Sequence, residues 1–270
     1  MKNKIAFIGC GNMGQALLES VLNNNIFNKK DIIVSDKRIL VLNKIRRKYL
    51  VKVTSSNDLS VSKSNVILLA IKPQDLNSAF KGIKDKLKDK LIISVLAGVN
   101  SSVIKKVAAS KRVIRVMPNA PALCGCGITA IAANAGLRKK DLALCEMIFK
   151  SVGDTVLIKE NLLDAVTAVS GSGPAYFFLL MEAMIDTAVG LGIKKLVAQR
   201  LVLQTAFGAS MQSCHMDIYP SKLRKMVTSK GGTTEAALKV FKKKGFQKIV
   251  KEAIVKASKR SKELSISLDC

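Results

Sequence analysis

Two short loops carry the residues whose types and spacing could do chemistry. Gly9-Cys10-Gly11-Asn12-Met13-Gly14 follows the apolar run Ile5 to Ile8, and Ser229-Lys230-Gly231-Gly232-Thr233-Thr234 precedes the amphipathic run Glu235 to Lys243. Each places glycines where a helix begins. A helix start leaves backbone N–H groups without partners and carries about half a positive charge from the aligned peptide dipoles, so it attracts anions. Glycine lets the backbone approach the anion and take positive φ without a Cβ clash. Phosphates and carboxylates suit such sites equally well, and one site in each half of the chain suggests a dinucleotide and a small acid held face to face.

The first loop has the G-x-G-x-x-G spacing. Alone that is a weak signal, but here it follows a buried-strand pattern, precedes a helical pattern from Asn12, and has an acid, Asp36, 22 positions after Gly14. Gly9 would make the turn, Gly11 would admit a pyrophosphate, and Gly14 would let the helix pack closely. Asp36 could accept hydrogen bonds from ribose hydroxyls, which favours NADH; Lys37 and Arg38 follow at once and could pair with a 2′-phosphate, which favours NADPH. Both remain open on the sequence. The second loop has a plainer alternative, a threonine N-cap with Glu235 in a favourable first-turn position, and one loop can both cap and bind.

The elements that must position these loops change character near residue 160. Before it, strand candidates recur at Lys4–Ile8, Asp31–Ser35, Val51–Thr54, Val66–Ala70, Leu91–Val95, Val113–Met117, Gly127–Ala132 and Thr155–Ile158, separated by helical patterns. Near-continuous β-branched and Leu runs imply strands covered on both faces, as in a parallel sheet wrapped by helices. The fold class expected is therefore α/β: an N-terminal Rossmann-type doubly wound sheet over residues 1–160, then an all-helical domain over 161–270. In the second part the helical stretches are Pro174–Leu191, Lys195–Met211, Tyr219–Val227 and Thr234–Lys262 with a break at Gly245, and Pro174 is placed as a first-turn residue. The run Ala175 to Val189 is apolar nearly all round, which one small helical domain can hardly hide; burial against a second subunit is expected, in an obligate dimer or an assembly of dimers.

Composition narrows the partners. A net charge of +26 raises a nucleic-acid reading, but only nine of the 45 basic residues are Arg, Trp is absent and aromatics are 4%, so solvated lysine faces are the expectation. Runs such as Val66–Ile71 and Leu91–Ala97 are far shorter than the roughly 20 residues that cross a bilayer, and Glu182 and Asp186 make the longest apolar helix costly in lipid. The first strand starts within four residues, which leaves no room for a signal segment. No pair of the six Cys has the two intervening residues of a zinc or redox motif, and His215 is the only histidine. Cys214-His215 is read as a surface pair rather than a nucleophile and base. No metal, no disulfide and a reducing cytoplasm are expected.

Five segments coincide in order: Phe7 to Gly14; Ala70-Ile71-Lys72-Pro73-Gln74; Arg115-Val116-Met117-Pro118-Asn119-Ala120-Pro121; Val169-Ser170-Gly171-Ser172-Gly173-Pro174-Ala175-Tyr176; and Val227 to Thr234. Together the chain resembles the pyrroline-5-carboxylate reductases over essentially its whole length, departing from the commonest form at Cys10, at Cys124 to Cys126 and at Lys230. The resemblance implies hydride transfer from NADPH, with NADH possible, to the C=N bond of 1-pyrroline-5-carboxylate, giving L-proline in the last step of its biosynthesis. It implies that Gly9, Cys10, Gly11, Asn12, Met13, Gly14, Asp36 and Lys37 bind the cofactor with Asn57 near the adenosine. Ala70, Ile71, Lys72 and Pro73 would lie beside it, and Leu96, Ala97 and Gly98 near the nicotinamide. The substrate carboxylate would be held by N–H groups of Gly231, Gly232 and Thr233 and the Ser229 hydroxyl, with the Thr234 hydroxyl on the ring nitrogen as the catalytic group.

Two other readings compete. A β-hydroxyacid dehydrogenase of similar plan would need a catalytic Lys early in the first helix of its second domain, and no Lys occurs from Asn161 to Ile193. A basic redox-sensing or nucleic-acid-binding protein would use the dinucleotide fold as a switch and bind DNA or RNA with steep salt dependence.

Overall fold

The computed structural model describes residues 3–134 and 136–266. The chain divides into two compact units, Met1–Ser172 together with Val255–Cys270, and Gly173–Ile254.

The first unit is built on eight strands: β1 (Ile5–Ile8), β2 (Ile32–Ser35), β3 (Lys52–Thr54), β4 (Val66–Leu69), β5 (Leu91–Ser94), β6 (Val113–Met117), β7 (Gly127–Ala133) and β8 (Gly153–Leu157). Its helices are α1 (Asn12–Asn23), α2 (Ile39–Tyr49), α3 (Asn57–Ser62), α4 (Leu76–Phe80), α5 (Lys84–Leu87), α6 (Ser101–Ala108), α7 (Lys139–Lys150) and α8 (Leu163–Val166). The sheet order is β3-β2-β1-β4-β5-β6-β7-β8. Chain growth reverses direction between β1 and β4, and the crevice at the carboxyl ends of those two strands is the usual ligand position in such sheets.

Alternation along the strands sorts the core into two layers. Ile5 and Phe7 pack with Leu17, Leu18 and Val21 of α1, Leu42 and Ile45 of α2, and Ile148 and Phe149 of α7. Ala6 and Ile8 face the other way, against Val61, Leu76, Phe80, Leu87 and Ile104. Each large aliphatic group hidden this way contributes about 1.5–3 kcal/mol, so the sheet holds helices firmly on both faces.

The all-parallel expectation fails at one place. β6 and β7 are antiparallel. Only residues 118–126 join them, too few for the dozen or more that a parallel crossover needs, so the chain turns back through a short 3-10 segment, Ala120–Cys124, ended by Gly125 at φ +74°.

Residues just past the expected boundary at 160 are helical yet pack with the sheet. Leu163 is buried with Ala130 and Ala132, with Val166 and Met117 beside them. The Ser261 hydroxyl donates to Asp164 Oδ1 at 2.6 Å, which ties in the end of the last helix.

The second unit holds α9 (Gly173–Gly190), α10 (Lys195–Met216), α11 (Pro220–Met226), α12 (Thr233–Lys243) and the first part of α13 (Phe246–Ile266). α9 and α10 pack on each other. Little of the unit is hidden: Gly173, Ala198, Val202 and Leu223 are buried, while Phe177, Phe178, Leu179, Leu201, Leu203 and Phe207 are exposed. Apolar exposure on this scale exceeds what the surface of a soluble monomer ordinarily carries.

Candidate active site

A cleft of about 680 Å³ opens at the carboxyl ends of β1, β2, β4 and β5. Of the cofactor residues expected from the sequence, Gly9, Cys10, Gly11, Asn12, Met13, Asp36, Lys37, Asn57, Ala70, Ile71 and Lys72 line it. Gly14, Pro73, Leu96, Ala97 and Gly98 do not.

Gly9 has φ +84°, and a Cβ there would sit 2.6 Å from Ile71 Cγ2 and 2.7 Å from the Ala70 carbonyl oxygen. The turn requires glycine on both counts. Gly14, inside α1, brings the helix down onto that turn. Gly11 precedes α1 with nothing within 4 Å of where its Cβ would point, leaving open space above a bare helix N-terminus. That arrangement fits a pyrophosphate.

Asp36 is buried at the end of β2, and its carboxylate is fully engaged. Oδ1 accepts from the Arg38 backbone N–H and from Arg38 Nε, both at 2.9 Å. Oδ2 accepts from the Cys10 N–H at 2.9 Å and from Arg38 Nη2 at 2.8 Å. Burial works to raise this carboxyl's pKa, but the bonds from the Arg38 side chain, then from the Arg38 and Cys10 backbone, hold it below the ordinary range. The Cys10 thiol, wholly buried and next to that charge, is pushed up to about 12, first by burial and then by Asp36. It is a neutral packing group at any physiological pH. Lys37 pairs with Asp75 at 3.3 Å.

Asn57 is a brace. Its Oδ1 accepts from Ser35 at 2.5 Å and its Nδ2 donates to the Ala79 carbonyl at 3.0 Å, so it joins the end of β2 to α4. The loop Leu96–Gly98 leaves the end of β5 with Leu96 buried, and Val95 just before it lines the cleft. A partly buried group no motif singled out fixes where that loop ends. Glu160 accepts from the Ser101 N–H at 2.7 Å, the Ser101 hydroxyl at 2.6 Å, Asn134 Nδ2 at 2.6 Å and Arg115 Nη1 at 3.0 Å. It therefore caps α6. Burial pushes the Glu160 carboxyl upward, and the bonds from Ser101, Arg115 and Asn134 outweigh it and keep the group ionised. The sequence did hold one clue: Arg115 stands within an apolar strand, and a charge there needs a buried partner.

In the second unit, α12 begins at Thr233 after Gly232 as N-cap. Gly231 takes φ +74°, and its N–H donates to Glu235 Oε2 at 2.8 Å. The Gly232 N–H donates to the Ser229 carbonyl at 3.1 Å, and a Cβ on Gly232 would lie 2.5 Å from Ser229 Oγ. Two of the three N–H donors expected for a substrate carboxylate are thus already engaged, by Glu235 and Ser229. The first backbone bond inside the helix runs from Ala236 to Gly232, so the outward donors of the first turn are the N–H groups of Thr233, Thr234 and Glu235. Cys10, Cys124, Cys126, Cys145 and Cys214 are free thiols, and Cys270 lies outside the described residues.

A glycine cradle at the switch point of a doubly wound sheet, joined in one chain to an apolar helical unit, defines a two-domain nicotinamide-dinucleotide oxidoreductase. The family model described as NADP oxidoreductase, coenzyme F420-dependent, matches residues 4–98, and the one described as pyrroline-5-carboxylate reductase dimerisation matches residues 160–264. The chain belongs to the pyrroline-5-carboxylate reductase family. It is 39% identical to the pyrroline-5-carboxylate reductase of Synechocystis, over 98% of this chain and 99% of that one. Identity to the Pseudomonas aeruginosa enzyme of the same name is also 39%, over 98% of both chains. Among solved structures, the pyrroline-5-carboxylate reductase of Coxiella burnetii superimposes with a TM-score of 0.91 at 34% identity, covering 98% of this chain and 99% of that one. The Plasmodium falciparum pyrroline carboxylate reductase, solved with NADP bound, gives 0.88 at 31% identity over 98% of each chain.

Proposed function

We infer that this chain reduces the C=N bond of 1-pyrroline-5-carboxylate to give L-proline, using NADPH in preference to NADH. The observation that carries the reading is the glycine cradle at the sheet's switch point, in a chain that matches reductases of this name over nearly all its length. By function, residues 1–160 bind the dinucleotide and 161–270 bind substrate and dimerise, even though residues 161–172 and the chain from Val255 belong to the compact unit of the sheet.

Gly9, Gly11 and the start of α1 hold the pyrophosphate, Asn57 braces the adenosine end, and Ala70 to Pro73 flank the bound molecule. Leu96 to Gly98, anchored through Ser101 by Glu160, border its reactive ring. The nicotinamide, when bound, supplies a hydride to the imine carbon. The substrate carboxylate lies at the start of α12, where the Thr233 and Thr234 N–H groups and the Ser229 hydroxyl are the donors. The Thr234 hydroxyl orients the ring nitrogen. A cyclic imine is basic enough to arrive protonated or to take its proton from water, so the residues need only align and stabilise, and positioning supplies much of the acceleration.

The stretch Glu160–Gly190 is long and apolar enough by length and composition to cross a membrane. Glu182 and Asp186 within it, and the dimerisation model that spans it, favour cover by a second copy of this chain, in a soluble cytoplasmic homodimer or an oligomer of dimers. Following NADPH and NADH oxidation with 1-pyrroline-5-carboxylate, with an open-chain 2-keto acid as control, tests the reaction. Turnover of the keto acid and none of the imine would overturn it. Light scattering on a size-exclusion column tests the assembly, and a monomer at micromolar concentration would refute it.

A further inference from the structure

At the end of the second strand of a doubly wound sheet, an acid ordinarily accepts hydrogen bonds from the hydroxyls of an unphosphorylated ribose. Asp36 stands there and lines the cleft, but it has nothing left to offer. A carboxylate has about four acceptor positions. Arg38 N, Arg38 Nε, Arg38 Nη2 and Cys10 N take four bonds from Asp36, all between 2.8 and 2.9 Å. The two-pronged grip is local in origin. Arg38 is the extended N-cap of α2, at φ −94° and ψ 106°, which turns its side chain back along the loop onto the residue two before it.

The same grip cancels charge. An unpaired carboxylate would repel a phosphate dianion, whereas the Asp36–Arg38 pair is neutral and keeps guanidinium donors beyond those bound to Asp36. The Arg38 side chain is 54% exposed while that of Asp36 is 4% exposed, so the pair faces the cleft with its cationic side. Lys37 is a poorer candidate for this role, since its ammonium is held by Asp75 and is largely solvated.

Building on the assignment of this cleft to a nicotinamide dinucleotide, we propose that Arg38 sets cofactor choice in this chain: it saturates Asp36, removing the acceptor a plain ribose needs, and gives its outer guanidinium edge to a 2′-phosphate. Removing Arg38 would therefore do two things at once. It abolishes the phosphate contact and it frees Asp36 to take a ribose hydroxyl.

Calorimetric titration with adenosine 2′,5′-bisphosphate and with 5′-AMP reads this without catalysis. In the wild type the bisphosphate binds more tightly. Arg38→Ala weakens it about 30-fold, in line with the loss of charge-assisted bonds, and leaves 5′-AMP equal or tighter. The ratio of kcat/KM for NADPH over NADH drops in parallel. Arg38→Lys, which keeps the charge and loses the two-pronged grip, falls between, and carries the test alone should the alanine variant fail to fold. Lys37→Ala changes the ratio of the two affinities less than about threefold. A ratio in both Arg38 variants that stays within about threefold of the wild type overturns the proposal, as does a larger change in Lys37→Ala. If neither nucleotide binds the wild type, it is instead the assignment of the cleft that fails.

Discussion

A Cβ on Gly14 would lie 2.9 Å from the carbonyl oxygen of Gly9, so α1 rests on the loop that feeds it as closely as a residue without a side chain permits. That approach puts the bare N-terminus of the helix at the floor of the cleft. Three glycines serve it, for different reasons.

Gly9→Ala and Gly11→Ala separate folding from binding. At Gly9 the backbone is left-handed and the new methyl would meet Ile71 and the Ala70 carbonyl, so a loss of about 3 kcal/mol in urea unfolding is expected. At Gly11 the methyl meets no atom and φ is −72°, so stability stays within about 0.5 kcal/mol while NADPH affinity falls at least about tenfold. Unchanged NADPH affinity in Gly11→Ala would contradict the pyrophosphate position.

Thr234→Ala is expected to lower kcat about a hundredfold with little change in the Kd for NADPH, as the proposed placement of its hydroxyl on the imine alone requires. Thr234→Ser should recover most of the rate. Stopped-flow turnover beside fluorescence titration of NADPH distinguishes the two effects, and wild-type turnover in the alanine variant would remove Thr234 from the reaction.

Glu235 presents the loop proposed to hold the substrate with a carboxylate of its own, bound to the Gly231 N–H and 3.4 Å from Lys239. Replacing it with Ala should lower the KM for the imine acid about threefold, since a competing negative charge leaves the site. The same change should cost about 0.5–1 kcal/mol of stability through the lost first-turn charge and ion pair. A raised KM would mean that Glu235 helps to shape the loop for its ligand.

Asp141 links pH to stability. Burial works against its charge, but hydrogen bonds from Arg112 and then Arg138 bring the carboxyl down to about 2. A folded pKa below the unfolded one stabilises the protein above about pH 4, and that stability is lost as pH falls through about 2. Asp141→Asn should therefore cost about 2 kcal/mol near neutrality, with the two proteins converging as pH falls below about 3. Chemical unfolding at pH 7, 4 and 3 gives the comparison, and a gap that does not narrow with acid would point to shape rather than charge.

The inner strands were legible because both their faces are covered. β1 and β4 are unbroken apolar runs and β5 and β6 nearly so, each ending where turn residues begin, and the expected and observed limits differ by a residue or two. The helix start at Asn12 and the break at Gly245 were equally plain, since glycine punctuates both. The β6–β7 pairing was not, because period-two alternation says nothing of direction; the length of residues 118–126 contains the answer only once β7 is known to neighbour β6.

At the site, the division follows distance along the chain. By itself the sequence determined the two glycine loops, the acid after β2 and the apolar α9, all features that neighbours within a few residues create. Tertiary structure alone decided that Glu160 caps a helix 59 residues away and that Cys10 joins Arg38 in using up Asp36, 26 residues further along the chain. A residue's type states what bonds it can make, but which of them remain for a ligand depends on what folding has already placed within about 3 Å of its polar atoms.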